Sequence, residues 1–160
     1  MHQPVATIIP VIVSSDKTQL THFHGKSVYP VYLTIRNVTK NIRRKPSHHT
    51  QVLVAYIPIT KLNDITNQAG CHHAIANLYH GCMGIILGSI AAVGETGVAM
   101  MSRDGIWQWC HPIYASFVGD YPKQALVTCT YNTQCPKCLV PPDQLRSFTR
   151  FPLCDFNKVR

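Results

Sequence analysis

The sequence predicts an α/β fold: one mixed sheet carrying a helix on at least one face. Three observations predict it. The chain opens with three short segments rich in β-branched and aromatic residues, then repeats its apolar residues at three- and four-residue steps. Strand character returns afterwards around an Asp-Gly pair.

Each element follows from its residues. Thr7-Ile-Ile-Pro-Val-Ile-Val-Ser14 is nearly continuous in apolar residues and reads as a strand buried on both faces. Val28-Tyr-Pro-Val-Tyr-Leu-Thr-Ile-Arg36 reads as the second strand, and Pro30, which has no amide to donate, places it near an edge or at a strand start. Gln51–Ile59 is the third. The polar loops Asp16–Ser27 and Asn37–Thr50 carry no helical pattern, so the three strands form an antiparallel meander. From about Asn63 to Val93, the residues Ile75, Leu78, Tyr79, Cys82, Met83, Ile86, Leu87 and Ile90 mark the apolar face of an amphipathic helix, weakened by a few glycines. Gly97–Ser102 and Ile106–Val118 flank Asp104-Gly105, a hairpin signal. Pro122–Thr128 reads as a short helix leading into a cysteine-rich segment, and the chain ends in an irregular stretch. The expected division is a core over 1–128, a cysteine knuckle over 129–140 and a tail over 141–160.

Composition narrows the function. The 160 residues suit one domain, and 46% hydrophobic content excludes a disordered chain. Charged residues make up 14%, well under the usual ~25%, so some surface is apolar or meant to be covered. No uninterrupted apolar run reaches the ~18 residues of a membrane span; the nearest, Met83 to Val93, is broken by Gly84, Gly88 and Ser89. Val5–Val13 follows no Lys or Arg and contains Pro10, unlike a secretion signal. The expectation is an intracellular protein, nuclear or cytoplasmic and not secreted, with no membrane partner and no small-molecule substrate. Fifteen Lys and Arg against seven Asp and Glu favour an anionic partner, nucleic acid first. Seven cysteines, an odd number, fit metal binding or buried thiols better than a disulfide framework.

Two aspartates, Asp16 and Asp120, stand just past the ends of apolar strands. If those strands are neighbours, the carboxylates converge, and like charges at close range cannot both ionise cheaply without a cation. Hard oxygen ligands suit Mg²⁺ or Mn²⁺, and a two-metal site of this kind clamps the attacking and leaving oxygens of a phosphodiester. The competing reading is that each Asp starts a turn or caps a helix. Cys135-Pro-Lys-Cys138 has the spacing that lets two thiolates reach one tetrahedral Zn²⁺, with Cys129 as a third ligand. The fourth position is open among Cys154, Cys110, His111 and His80. A redox pair is the rival, without the strand-and-helix context of a thioredoxin motif. Cys71-His72-His73, and His80 with Cys82, read as ordinary side chains, since His80 and Cys82 do not share a helix face. Lys40, Arg43, Arg44 and Lys45, extended by His48-His49, lie in the second polar loop and suit phosphate contact. A merely solvated loop is the alternative.

Together these pieces resemble the transposase of Plavaka elements, fungal DNA transposons related to the CACTA type. The likeness rests on Ser14-Ser-Asp-Lys-Thr-Gln-Leu-Thr21, Tyr29-Pro-Val-Tyr-Leu-Thr-Ile-Arg-Asn37, Asn41-Ile-Arg-Arg-Lys-Pro-Ser47 and Gln51-Val-Leu-Val-Ala-Tyr-Ile-Pro58. It continues through Tyr79-His-Gly-Cys-Met83, Gly97-Val-Ala-Met100, Asp104-Gly105, Asp120-Tyr-Pro-Lys-Gln124 and Cys135-Pro-Lys-Cys-Leu-Val140, in order over roughly residues 8–145.

The resemblance implies an RNase H-like mixed sheet with a DDE/D core. Asp16 would be the first metal-binding carboxylate and Asp120 the second, holding Mg²⁺ or Mn²⁺. Lys17, Lys40, Arg43, Arg44 and Lys45 would contact DNA. Cys129, Cys135 and Cys138 would belong to a zinc-bearing insertion, and full-length transposase subunits would be partners. Two departures stand out. No residue matches the family's third acid, Asp143 and Asp155 falling in irregular sequence, and Gly84 stands where the family tends to carry Arg. The expectation is therefore an incomplete catalytic core, inactive alone, with a zinc-stabilised DNA- or partner-binding module or a non-functional relic as the other readings.

Overall fold

The computed structural model describes residues 6–21, 27–60, 62, 64–131 and 133–155. The chain divides into two compact units, Met1–Val118 and Gly119–Arg160. The expected helix start at Asn63, residue 132 of the cysteine segment and the last five tail positions lie outside the described residues.

The first unit holds β1 (Ala6–Ser15), β2 (Thr18–Gln19), β3 (Ser27–Ile35), α1 (Lys40–Arg43), β4 (Val52–Pro58), α2 (Gln68–Thr96), β5 (Val98–Met101) and β6 (Trp107–Val118). The sheet order is β2-β3-β1-β6-β5, with β4 also on β3. The β1–β3 and β3–β4 pairs are antiparallel, as the short polar connections predict. The β5–β6 hairpin closes at Met101 and Trp107, and Gly105 takes φ +82 in its turn, a conformation that favours glycine. The β1–β6 pair is parallel, which makes the sheet mixed.

Four local expectations are corrected. First, β1 is buried on alternate residues only: Val11, Val13 and Ser15 are buried, whereas Ile8 is 59% exposed. Among the described elements of this unit, α2 is the one long helix, and it packs on β6 and β4. Second, Pro30 is buried in β3, an inner strand paired on both sides, not at an edge. Third, the polar loops are not featureless: one contains β2, and the other contains α1 and a 3₁₀ turn at Pro46–His48. Fourth, α2 leaves Ile75 and Leu78 of its expected apolar face exposed, at 40% and 41%.

The length of α2 also revises the membrane count. By length and composition α2 is apolar enough to cross a membrane. An uninterrupted apolar run is too strict a test here, because the glycines and serine that break the run lower mean hydropathy little. The helix is nonetheless fastened to the sheet. Asn67 caps its start by accepting from the Ala69 amide at 3.0 Å. At its other end Trp109 Nε1 donates to the Thr96 carbonyl at 3.1 Å, and His111 Nδ1 lies 3.0 Å from the Gly94 carbonyl. A Cβ on Gly94 would stand 2.6 Å from the Pro112 carbonyl oxygen, so glycine there permits the close approach of α2 to β6.

The buried hydrophobic residues of this unit are small in number: Val11, Val13, Val31, Ile57, Tyr79 and Cys110 among the described residues. An apolar groove of about 410 Å³ lies beside them, lined by Val11, Leu33, Ile35, Val52, Val54 and Ile90 among others. Tyr56, Met101 and Trp107 are all at least 60% exposed, matching the low charge of the composition.

Among its described residues the second unit contains α3 (Tyr121–Val127), a 3₁₀ turn at Pro142–Gln144 and an antiparallel bridge, Cys138 with Leu153.

Candidate active site, basic run and cysteine knuckle

Asp16 sits in a gap in the sheet. Against β3, the β1 pairs run from Val11–Ile35 to Ser15–Val31, and β2 resumes at Thr18–Val28 in the same register. Asp16 and Lys17 are the two residues skipped, and that register sets them against Pro30 and Tyr29. Proline has no amide to donate, so the ladder lapses where it passes Pro30. The break releases the Asp16 side chain from strand packing; it is exposed, and its Oδ1 accepts from the Lys17 amide at 2.7 Å. Ser15, immediately before it, is buried with its hydroxyl lacking a hydrogen-bond partner.

β1 and β6 pair in parallel as far as Ser14 and Val118, so both end at the same border of the sheet. Asp16 follows Ser14 by two residues, and Asp120 follows Val118 by two. Asp120, in the second unit, is the N-cap of α3, its Oδ1 accepting from the Lys123 amide at 3.1 Å. Asp120 therefore caps a helix through Oδ1, while Asp16 Oδ1 bonds only the amide next to it.

The basic run is better ordered than a loop. Lys40 to Arg43 form α1, and Pro46 opens the following 3₁₀ turn with the fixed φ such a start favours. Arg43 Nη1 donates to the Ile35 carbonyl at 3.5 Å, and Arg44 Nη2 to Asn41 Oδ1 at 3.2 Å. Lys17, Lys40, Arg44 and Lys45 are exposed, while Arg43 is half-buried.

In the second unit the thiols of Cys135 and Cys138 are hydrogen-bonded to each other. Burial pushes the Cys135 thiol up, but the amides of Lys137 and Cys138, the Cys138 side chain and the Lys137 charge outweigh it, and its pKa falls. The Cys138 thiol is raised, chiefly by its bond to Cys135 and then by desolvation, against the Val140 amide that lowers it. Cys129 is exposed, with φ +55, directly after the α3 C-terminus. Among the described residues no three His, Cys, Asp or Glu stand together as a ready metal cluster. Sequence reading assigned nothing definite to Cys154, yet its amide donates to the Lys137 carbonyl at 3.0 Å, inside the knuckle. No local signal announces that contact, because the pairing closes over a loop of irregular sequence. Cys110 is buried in β6 and His111 faces Gly94, both within the first unit.

A family model described as Plavaka transposase matches residues 1–160, the whole chain. No curated protein and no solved structure matches it.

Proposed function

The chain belongs to the Plavaka transposase family, and on that premise we propose that it forms part of a metal-dependent DNA-transposing core of RNase H-like type. The observation that supports this most is the parallel pairing of β1 with β6 up to Ser14 and Val118, each followed two residues later by an aspartate. The order of three antiparallel strands, a long helix and then a strand beside the first agrees with it.

In this reading Asp16 and Asp120 hold Mg²⁺ or Mn²⁺. Their donor set fits: both are carboxylates whose recorded bonds use one oxygen, leaving hard oxygen for a hard cation. When bound, such an ion polarises the phosphoryl group and activates the attacking oxygen. The residues themselves do two things: the β1–β2 gap presents Asp16, and the α3 cap orients the Asp120 carboxylate. Lys17, Lys40, Arg43, Arg44 and Lys45 neutralise DNA phosphates, which gives affinity without sequence choice. Cys135 and Cys138 supply two thiolates of a structural Zn²⁺ site, to which the sequence offers Cys129 as one candidate third ligand. Further transposase subunits are the protein partners this reading expects.

The test separates metal binding from DNA holding. Mn²⁺ titration followed by electron paramagnetic resonance should show binding to the purified chain that Asp16→Asn with Asp120→Asn removes, while retention of duplex DNA stays unchanged. Equal Mn²⁺ binding by the double variant overturns the catalytic-core reading. It would favour the second one, a basic DNA-holding module, for which the capping role of Asp120 speaks.

A further inference from the structure

We infer that Cys154, rather than Cys129, is the third sulfur of the Cys135–Cys138 knuckle, completing a site for a thiophilic cation of the Zn²⁺ kind. The inference rests on the proposed knuckle and names a ligand for it. All the residues involved lie in the second unit.

The backbone around the pair is arranged for sulfur carrying negative charge. The amides of Lys137 and Cys138 point to Cys135 Sγ, and the Val140 amide points to Cys138 Sγ. A neutral thiol is a weak acceptor, so three converging amides gain most when the sulfurs are metal-bound thiolates.

The tail then brings a third cysteine to the same loop. Cys138 bridges Leu153, and two hydrogen bonds flank that bridge: Leu139 amide to Pro152 carbonyl and Cys154 amide to Lys137 carbonyl, both 3.0 Å. Lys137 lies between the two knuckle cysteines, so the Cys154 backbone is held against the loop that turns the pair. Cys129 belongs instead to the end of α3, where its amide donates to the Leu126 carbonyl at 3.2 Å. A single bridge does not impose strand alternation on its neighbours, and the cysteine side chain has one torsion. Among the described residues the three sulfurs do not stand as a formed cluster, so the proposal requires the Cys154 thiol to turn toward the pair on binding.

The experiment uses the full chain with Zn²⁺ and Co²⁺. Zn²⁺ affinity is measured by competition with a chromophoric chelator, and thiolate number by the near-ultraviolet charge-transfer absorption of the Co²⁺ form. Cys154→Ser should weaken Zn²⁺ binding by at least about tenfold and remove about a third of the charge-transfer intensity. Cys129→Ser should change neither. Cys154→His, which keeps a ligand, should recover tight binding with two-thiolate absorption, so a loss through misfolding is told apart from loss of a ligand. Loss of binding in Cys129→Ser with none in Cys154→Ser overturns the inference and leaves the knuckle standing. A wild-type chain that takes up no Zn²⁺ overturns the knuckle itself.

Discussion

Asp120 is asked to do two things, and two substitutions separate them. As N-cap of α3 its Oδ1 accepts from the Lys123 amide at 3.1 Å, one of the amides that a helix start leaves without an intrahelical partner. Alanine removes that acceptor and should cost about 1 kcal/mol of helix stability. Asparagine keeps an oxygen in the same place and gives up only the charge–dipole part, a few tenths of a kcal/mol at this short helix. One kcal/mol is roughly a fivefold change in the population of the opened helix. Amide exchange at Gln124 and Thr128, whose amides bond to the Asp120 and Gln124 carbonyls, reads that population. Asp120→Ala should exchange about fivefold faster than wild type, and Asp120→Asn within about twofold of it. Mn²⁺ binding should be lost in both. If the asparagine variant binds Mn²⁺ as wild type does, the carboxylate is a cap and nothing more. If alanine leaves exchange unchanged, the capping bond is not what holds the helix start.

Three further outcomes follow from other parts of the molecule. If Lys17, Lys40, Arg43, Arg44 and Lys45 carry the DNA contacts, the log–log salt slope is about −4.5, and Arg44→Gln should lower its magnitude by about 0.9. An unchanged slope on filter-binding would move the contacts elsewhere. Burial, with Tyr114 and Tyr29 adding, pushes the Tyr79 hydroxyl up to about 12 from an ordinary 10.0. The folded state therefore keeps this proton longer than the unfolded chain, so its share of stability is full below pH 10 and lost as pH rises through about 12. Tyr79→Phe should flatten the alkaline limb of the denaturation midpoint measured against pH. Gly94→Ala would press a methyl carbon to 2.6 Å from the Pro112 carbonyl oxygen, an overpacked contact expected to cost about 1–3 kcal/mol in urea unfolding.

The strands and the long helix were legible because their signals are local. Alternating β-branched residues, the Asp104-Gly105 turn and the apolar steps from Tyr79 to Ile90 each act within a few residues, and β1, β3, β4, α2, β5 and β6 appear close to where they are read. What was not legible depends on partners distant in the chain. Ile75 and Leu78 carry the same apolar signal as Ile86 yet stay 40% and 41% exposed, and the hydrogen bonds that tie α2 to β6 lie at its last turns, where Gly94 and Thr96 meet His111 and Trp109. The basic run reads as loop because Lys, Asn and Arg mark no apolar face, and the one turn of α1 has no side-chain cap to announce it. Cys154 was one name among four for an open position. Its place beside Lys137 depends on a bridge that no spacing rule encodes.

Pro30 shows most clearly how a residue can be misread by a rule and still explain the structure. A proline inside a paired strand argues for an edge, because it withholds one ladder bond. Here β3 is flanked on both sides, and the withheld bond falls where the register places Asp16, between β1 and β2. The proline thus opens the gap in which a candidate metal-binding acid sits. Pro30→Val supplies the missing amide and a residue that strands favour, so β1 and β2 should join into one strand across Asp16 and Lys17. Amide exchange at Asp16 and Thr18, whose amides face β3, should slow, and the chain should gain stability toward urea. Mn²⁺ affinity should fall, because the carboxylate would then be held in a strand rather than released from one. Slower exchange with undiminished Mn²⁺ binding would show that the gap is not what makes Asp16 available. Unchanged exchange would show that something other than the absent amide keeps the two strands apart.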